Sequence, residues 1–238
     1  MMNTKSFVWE SVTNAWKYGR EFVDKQAWDW NTAGYAVTVF LQNNKYLGAP
    51  QNRPRMFFIA HKYPLVFPDL VYDTPKVGEL LKTHAKELVD KGQPFKYPGY
   101  EMLWELSTKK KNYANFNSLY HTALTAAEKA QIKTIPGFTV KSLHPDRHAL
   151  VLNDRVVHPY EPRFLSLREL ELLSGIPYSW KFQNKYGPAA LEMSRTVLPP
   201  VGKYIATAVK DGFEMEKTTP YYRVVDTRKG EWHEEALG

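Results

Sequence analysis

Gly48-Ala49-Pro50-Gln51-Asn52-Arg53-Pro54-Arg55, followed at once by Met56-Phe57-Phe58-Ile59-Ala60, is the stretch on which the fold turns. Its Gly-Ala-Pro opening reads as a turn. The five residues after Arg55 are apolar without alternation, which suits a strand covered on both faces in the middle of a sheet. Arg53 and Arg55 stand at alternate positions of an extended segment, so their side chains are expected to point the same way. Two guanidinium groups held in parallel can donate to a phosphate and to a carbonyl oxygen. The plainer alternative is a basic turn leading into a strand.

Upstream, Gly34 punctuates and Tyr35 to Leu41 reads as a strand from its β-branched and aromatic content. Thr13 to about Trp30 reads as one helix, with Trp16, Phe22 and Val23 as candidate buried positions. Before it, Ser6-Phe7-Val8-Trp9-Glu10-Ser11-Val12 begins as a short apolar run that ends on a carboxylate. Downstream, Thr74-Pro75 pairs a cap residue with proline at the first helical position, predicting a helix to about Asp90. Gln93 to Gly99 reads as loop. Capping boxes at Thr125/Glu128 and Ser166/Glu169 open two further helices, the second stopping at Gly175 and Pro177. Ala149–Leu152 and Arg155–His158 flank Asn153-Asp154, which predicts a two-residue hairpin turn. A last helix follows Pro200 to about Lys210. There is no internal repeat and no low-complexity linker.

The chain has 238 residues, 43% of them hydrophobic, enough for one ordinary domain or a domain with a second small lobe. No apolar run approaches the roughly 20 residues of a membrane helix, and the first residues lack the apolar stretch of a signal peptide. A soluble, cytoplasmic protein is the expectation. Lys plus Arg number 32 against 25 Asp plus Glu, a net charge of +7 that favours a polyanionic partner. The densest basic segment is Lys109-Lys110-Lys111-Asn112-Tyr113, followed by Asn115, Phe116 and Asn117. Its lysines suit phosphates, its amides base edges and its rings stacking, although a lysine run is commonly a solvated loop. Cysteine is absent. That excludes disulfides, thiolate metal sites and a cysteine nucleophile within this chain. His144 and His148 lie four apart, but Pro145 between them opposes a shared helical face, so no metal site is expected.

Taken in order, these segments resemble the C-terminal half of the cytosine-5 DNA methyltransferase family. Gln51-Asn52-Arg53-Pro54-Arg55 is similar to that family's Pro-Gln-x-Arg-x-Arg signature, and Glu10-Ser11-Val12 to its Glu-Asn-Val motif, with serine for asparagine. Gly34-Tyr35-x-Val37 also resembles a family segment. So does Arg163-Phe164-Leu165-Ser166-Leu167-Arg168-Glu169, closing on Gly175-Ile176-Pro177. Val197 to Ala206 is similar to the closing helix beside the S-adenosylmethionine site, with Arg195-Thr196 where the family carries Gly-Asn.

The resemblance implies an α/β fold, the C-terminal part of a Rossmann-like S-adenosylmethionine-dependent domain. It implies catalytic parts at 1–62 and 163–238 with a target recognition lobe inserted at 63–162. Glu10 would meet nitrogen 3 and the exocyclic amine of the target cytosine, easing attack at carbon 6. Arg55 would reach the base carbonyl and Glu10, Arg53 a DNA phosphate or the catalytic loop, and Gln51 would brace that loop. Lys109, Lys110, Lys111, Asn112 and Tyr113 would bind DNA, and Thr196 and Val197 would touch the cofactor.

The family's Pro-Cys nucleophile and Gly-rich cofactor loop lie N-terminal to the Glu motif, and neither is present in this sequence. The implied arrangement is a split methyltransferase of a bacterial or phage-infected cell, of restriction-modification type. It would act on double-stranded DNA with a second polypeptide that carries the cysteine and most of the S-adenosylmethionine site. On this reading the strand at Phe7–Trp9 would have neighbours only from that other chain. Two alternatives are a DNA-binding module without activity and a decayed remnant.

Overall fold

In the computed structural model, described for residues 4–84, 92–110, 114–132, 134–150, 152–182 and 185–237, strands and helices follow in this order. The first third holds β1 (Ser6–Val12), α1 (Thr13–Tyr18), α2 (Arg20–Thr32), β2 (Ala36–Asn43) and β3 (Pro54–His61). The middle holds α3 (Val77–His84), β4 (Gln93–Pro94), α4 (Tyr100–Thr108), α5 (Phe116–Ala123), α6 (Ala126–Lys129), β5 (Lys141–Ser142), β6 (Val156–Val157), β7 (Arg163–Phe164), α7 (Leu167–Ser174) and α8 (Tyr186–Arg195). The chain closes with α9 (Pro199–Asp211), β8 (Tyr222–Asp226) and β9 (His233–Ala236). It divides into two compact units, residues 1–74 with 197–238, and residues 75–196.

The first unit is built on a five-stranded sheet in the order β1-β3-β2-β8-β9. Continuous apolar sequence puts β2 and β3 in its interior: all eight residues of β2 are buried, as are the last six of β3. On one face Phe40, Phe57, Ile59 and Val225 pack with Leu198, Val201, Tyr204 and Ile205, so α9 covers that side. On the other, Val39, Leu41, Met56 and Phe58 pack with Val23 and Ala27 of α2. Burying one such side chain contributes about 1.5–3 kcal/mol, which makes this two-sided sheet the main source of stability in the unit.

The helix expected over Thr13–Trp30 is two helices. Gly19 separates them, and a Cβ there would stand 2.8 Å from the Ala15 carbonyl oxygen, so the bend needs a residue without a side chain. Val23 is buried as expected, Trp16 is half-buried, and Phe22 is 61% exposed. β1 also differs from expectation. It pairs antiparallel with β3 of its own chain over its whole length, from Ser6↔His61 to Val12↔Arg55, so its inner side needs no second polypeptide. Its outer side is the sheet edge, unpaired among the described residues. The hairpin β8–β9 was not anticipated; β8 lies parallel to β2 and extends the sheet.

The second unit uses short strands and helices. β4-β7-β6-β5 form a small sheet of two-residue strands. Val77, Leu81, Leu165, Leu170, Leu173 and Met193 make one core cluster, and Tyr100, Leu103, Phe116, Leu119 and Val157 another. Both capping boxes are present, and α7 ends on Gly175 with φ of 65°, a left-handed conformation that suits glycine. α3 begins at Val77, later than expected: the Thr74 hydroxyl donates to the Lys45 carbonyl, and Glu79 caps the Lys76 N–H instead. The hairpin around Asn153-Asp154 is replaced by a turn. The Asn153 side chain accepts from the Arg155 N–H, while Val156–Val157 pairs with β5 and β7. Helices α4, α5 and α8 were not anticipated. The unit boundaries fall at 74/75 and 196/197 rather than 62/63 and 162/163. Leu65 and Leu70 join the Phe40 cluster, whereas Leu165 to Met193 join that of Val77.

Candidate active site

β1, β2 and β8 run parallel, so their C-terminal ends lie at one edge of the sheet together with the start of β3. Glu10 pairs across the ladder with Phe57, and Arg55 lies two positions nearer that edge. The Arg55 Nε stands 2.8 Å from Glu10 Oε1, with the two side chains only 14% and 22% exposed. Arg55 Nη1 donates to the Pro54 carbonyl oxygen at 2.7 Å, which fixes the orientation of the guanidinium. Burial lowers the Arg55 pKa, and the charge and hydrogen bond of Glu10 oppose that shift.

The loop from β2 to β3 is clamped by side chains at the end of β2. Asn43 Oδ1 accepts from the Arg53 N–H at 3.0 Å, and Asn43 Nδ2 donates to Asn52 Oδ1 at 2.7 Å. Gln42 Nε2 donates to Asn44 Oδ1, and the Asn44 N–H returns to the Arg53 carbonyl oxygen. Arg53 and Gln51 are thereby buried, at 4% and 1% exposure. Among the described residues, Arg53 Nε has no hydrogen-bond partner and no carboxylate pairs with the side chain. Its pKa is lowered to about 10, by burial first and then by the charge of Arg55, with Glu10 opposing. A buried guanidinium nitrogen without a hydrogen-bond partner is costly. The clamp residues Gln42, Asn43 and Asn44 escaped sequence reasoning; the polar run ending an otherwise apolar strand was their signal.

The other candidate residues are placed differently. Lys109 follows α4, where its ammonium meets Glu105 and lies 5.6 Å from the Trp104 ring centre. The Lys110 N–H donates to the Glu105 carbonyl oxygen. Lys111, Asn112 and Tyr113 fall outside the described residues. Thr196 caps α8, its hydroxyl donating to the Glu192 carbonyl oxygen. Val197 lines a groove of about 490 Å³ between one face of β1 and α9, with Val8, Phe57, Ile205 and Val209. Glu10, Ser6 and Lys210 supply its polar groups. Among the described residues no group of three or more His, Asp or Glu side chains could hold a metal ion.

The profile of the C-5 cytosine-specific DNA methylase family matches residues 2–211. The chain belongs to that family. Membership carries with it DNA cytosine as the family's substrate and S-adenosylmethionine as its methyl donor. Among curated proteins no sequence matches significantly. Of solved structures, one described as a DNA modification methyltransferase encoded within a prophage (E. coli) superposes with a TM-score of 0.64 at 19% identity. That match covers 90% of this chain and 71% of the other. The S. pombe Dnmt2 methyltransferase gives a TM-score of 0.47 at 12% identity, covering 90% of this chain and 69% of that one. The mixed α/β architecture is thus that of a methylase, and β8–β9 lie beyond the stretch the family profile covers. No helix among the described residues is long and apolar enough to cross a membrane.

Proposed function

We propose that this chain is the base-positioning and DNA-recognition component of a DNA (cytosine-5)-methyltransferase whose cysteine nucleophile and cofactor loop reside on a second polypeptide. The observation that carries it is the Glu10–Arg55 pair, half-shielded at the sheet edge of a methylase that has no cysteine. The Glu10 carboxyl can share a proton with nitrogen 3, an acceptor in cytosine, and accept at its other oxygen from the exocyclic amine of a base turned out of the duplex. A proton held at nitrogen 3 withdraws electrons from the ring and makes carbon 6 electrophilic. Arg55 keeps Glu10 in place and can donate to the base carbonyl, and Arg53 meets a phosphate or the loop bearing the nucleophile. Residues 75–196 supply DNA recognition.

The unpaired outer side of β1 supports a partner strand, because a free ladder invites pairing. Phe7 and Val8, 41% and 38% exposed, add apolar surface there. The test is methyl transfer from labelled S-adenosylmethionine to duplex DNA, with this chain alone and with the neighbouring gene product added. Activity only in the mixture is expected, with loss of at least about 100-fold in Glu10→Gln and Arg55→Ala while both retain their circular dichroism. Full activity in either variant overturns the assigned roles. DNA binding without methylation in any mixture favours an inactive DNA-binding module.

A further inference from the structure

The second unit contains a cleft of about 670 Å³, within the range of small-molecule sites, which no part of the proposed chemistry uses. Its floor is aromatic. Tyr100 is buried and packs 5.3 Å, centre to centre, from Tyr97, whose own ring is 41% exposed. Gln93 of β4 lines it as well, and Lys96 and Arg155 bring two cations to the lining. Asp154 also lines the cleft, but its approach to Arg155 is a long 3.9 Å and both side chains are about half exposed. Among the described residues Lys96 forms no ion pair. Gly187 of α8 borders the same space, and a Cβ built on it meets nothing within 4 Å.

We infer that this cleft binds one unpaired nucleotide of DNA, its base stacked on Tyr97 and its phosphate held between Lys96 and Arg155. An exposed ring, a neighbouring glutamine and two cations, of which Arg155 is only loosely engaged by Asp154, together suit a nucleotide. A purely apolar ligand would leave both cations unused, and a bare anion would not need the ring. The inference rests on residues 75–196 being the DNA-recognition unit.

The test compares a fully paired duplex with the same duplex carrying one bulged 2-aminopurine nucleotide, using the full chain. The bulged duplex should bind about tenfold tighter or more, with the fluorophore quenched on binding. Tyr97→Ala should remove both the preference and the quenching. Gly187→Leu, which fills the cleft without removing a charge, should remove the preference and leave paired-duplex affinity unchanged. Equal affinity for the two duplexes, or an undiminished preference in Gly187→Leu, overturns the inference while leaving the recognition role standing. Loss of all duplex binding by the unmodified chain would instead count against the recognition role. Binding of free 2-aminopurine nucleotide that is blocked by Gly187→Leu, without any bulge preference, would assign the cleft to free nucleotides and overturn the DNA source.

Discussion

The Arg163–Glu169 pair of the second unit and the Arg55–Glu10 pair of the first are finished to different degrees. In the second unit, Glu169 is 1% exposed and accepts from Arg163 Nη1 and Nη2 at 2.8 and 2.9 Å and from the Ser166 N–H at 2.8 Å. Arg163 also donates to Glu161 and to the Phe164 carbonyl oxygen. Every direction around that pair is occupied. At the sheet edge of the first unit, Arg55 and Glu10 share one contact, and Arg53 beside them is buried with its Nε unpartnered among the described residues. A saturated pair fixes the backbone around it; an unsaturated one retains capacity for a ligand. The same residue types therefore serve architecture in one unit and, in our reading, chemistry in the other.

Breaking both pairs in the same way gives the largest contrast. Glu169→Ala leaves Arg163 buried without its main counter-charge and removes the cap of α7. A loss of about 3–5 kcal/mol is expected, seen as a lowered urea midpoint for the second unit. Glu10→Ala should cost less, about 1–2 kcal/mol, since Glu10 is 22% exposed against 1% for Glu169 and holds a single contact with its arginine. Similar losses in the two variants would show that Glu10 is as structural as Glu169.

Sequence alone gave access to the first of these pairs more readily than to the second unit's framework. β2 and β3 are long and apolar, so their assignment rests on many residues, and the Glu10 and Arg55 positions follow from the strands that carry them. The capping box at Ser166 was legible because its signal lies within four residues. The strands of the second unit have only two residues each, too few for any periodicity to register. β9 is exposed at every position and carries His233, Glu234 and Glu235, a composition that gives no strand signal; its pairing with β8 creates it. The burial of Arg53 was equally hidden, because it depends on the clamp by Asn43 rather than on any local pattern.

Acid should sharpen the comparison, because a histidine belongs to one pair and not to the other. His158 is buried, accepts at Nδ1 from the Tyr160 and Glu161 N–H groups, and turns Nε2 toward Glu169 at 3.4 Å. Burial lowers its pKa to about 4, with Glu169 opposing the shift and Arg163 adding to it. The unfolded chain takes up that proton near pH 6.5, so the stability contributed is complete above that value. It declines as pH falls from 6.5 toward 4, by at most about 1.4 kcal/mol per pH unit. His61 of the first unit, held between Thr38 and the Tyr63 carbonyl oxygen near Arg223, is likewise lowered to about 4 by burial and should add a similar slope. Urea midpoints at pH 7 and pH 5 should therefore differ less in His158→Gln and in His61→Gln than in the unmodified chain. An unchanged slope in His158→Gln would remove that residue from the acid response.

The smallest effect separates two capping boxes with the same sequence logic. At α7, Ser166 is fully buried and its hydroxyl accepts from the Glu169 N–H at 3.0 Å, while Glu169 also anchors Arg163. At α6, Thr125 is exposed and accepts from the N–H of half-buried Glu128 at 3.3 Å, in a bond open to solvent. Water can replace the cap at α6 and cannot reach the one at α7. Ser166→Ala should cost about 1–2 kcal/mol, with faster amide exchange across α7, whereas Thr125→Ala should shift exchange only within α6. If the two substitutions proved equal, the saturation around Glu169 would owe nothing to burial, and its contrast with Glu10 would have to rest on hydrogen-bond count alone.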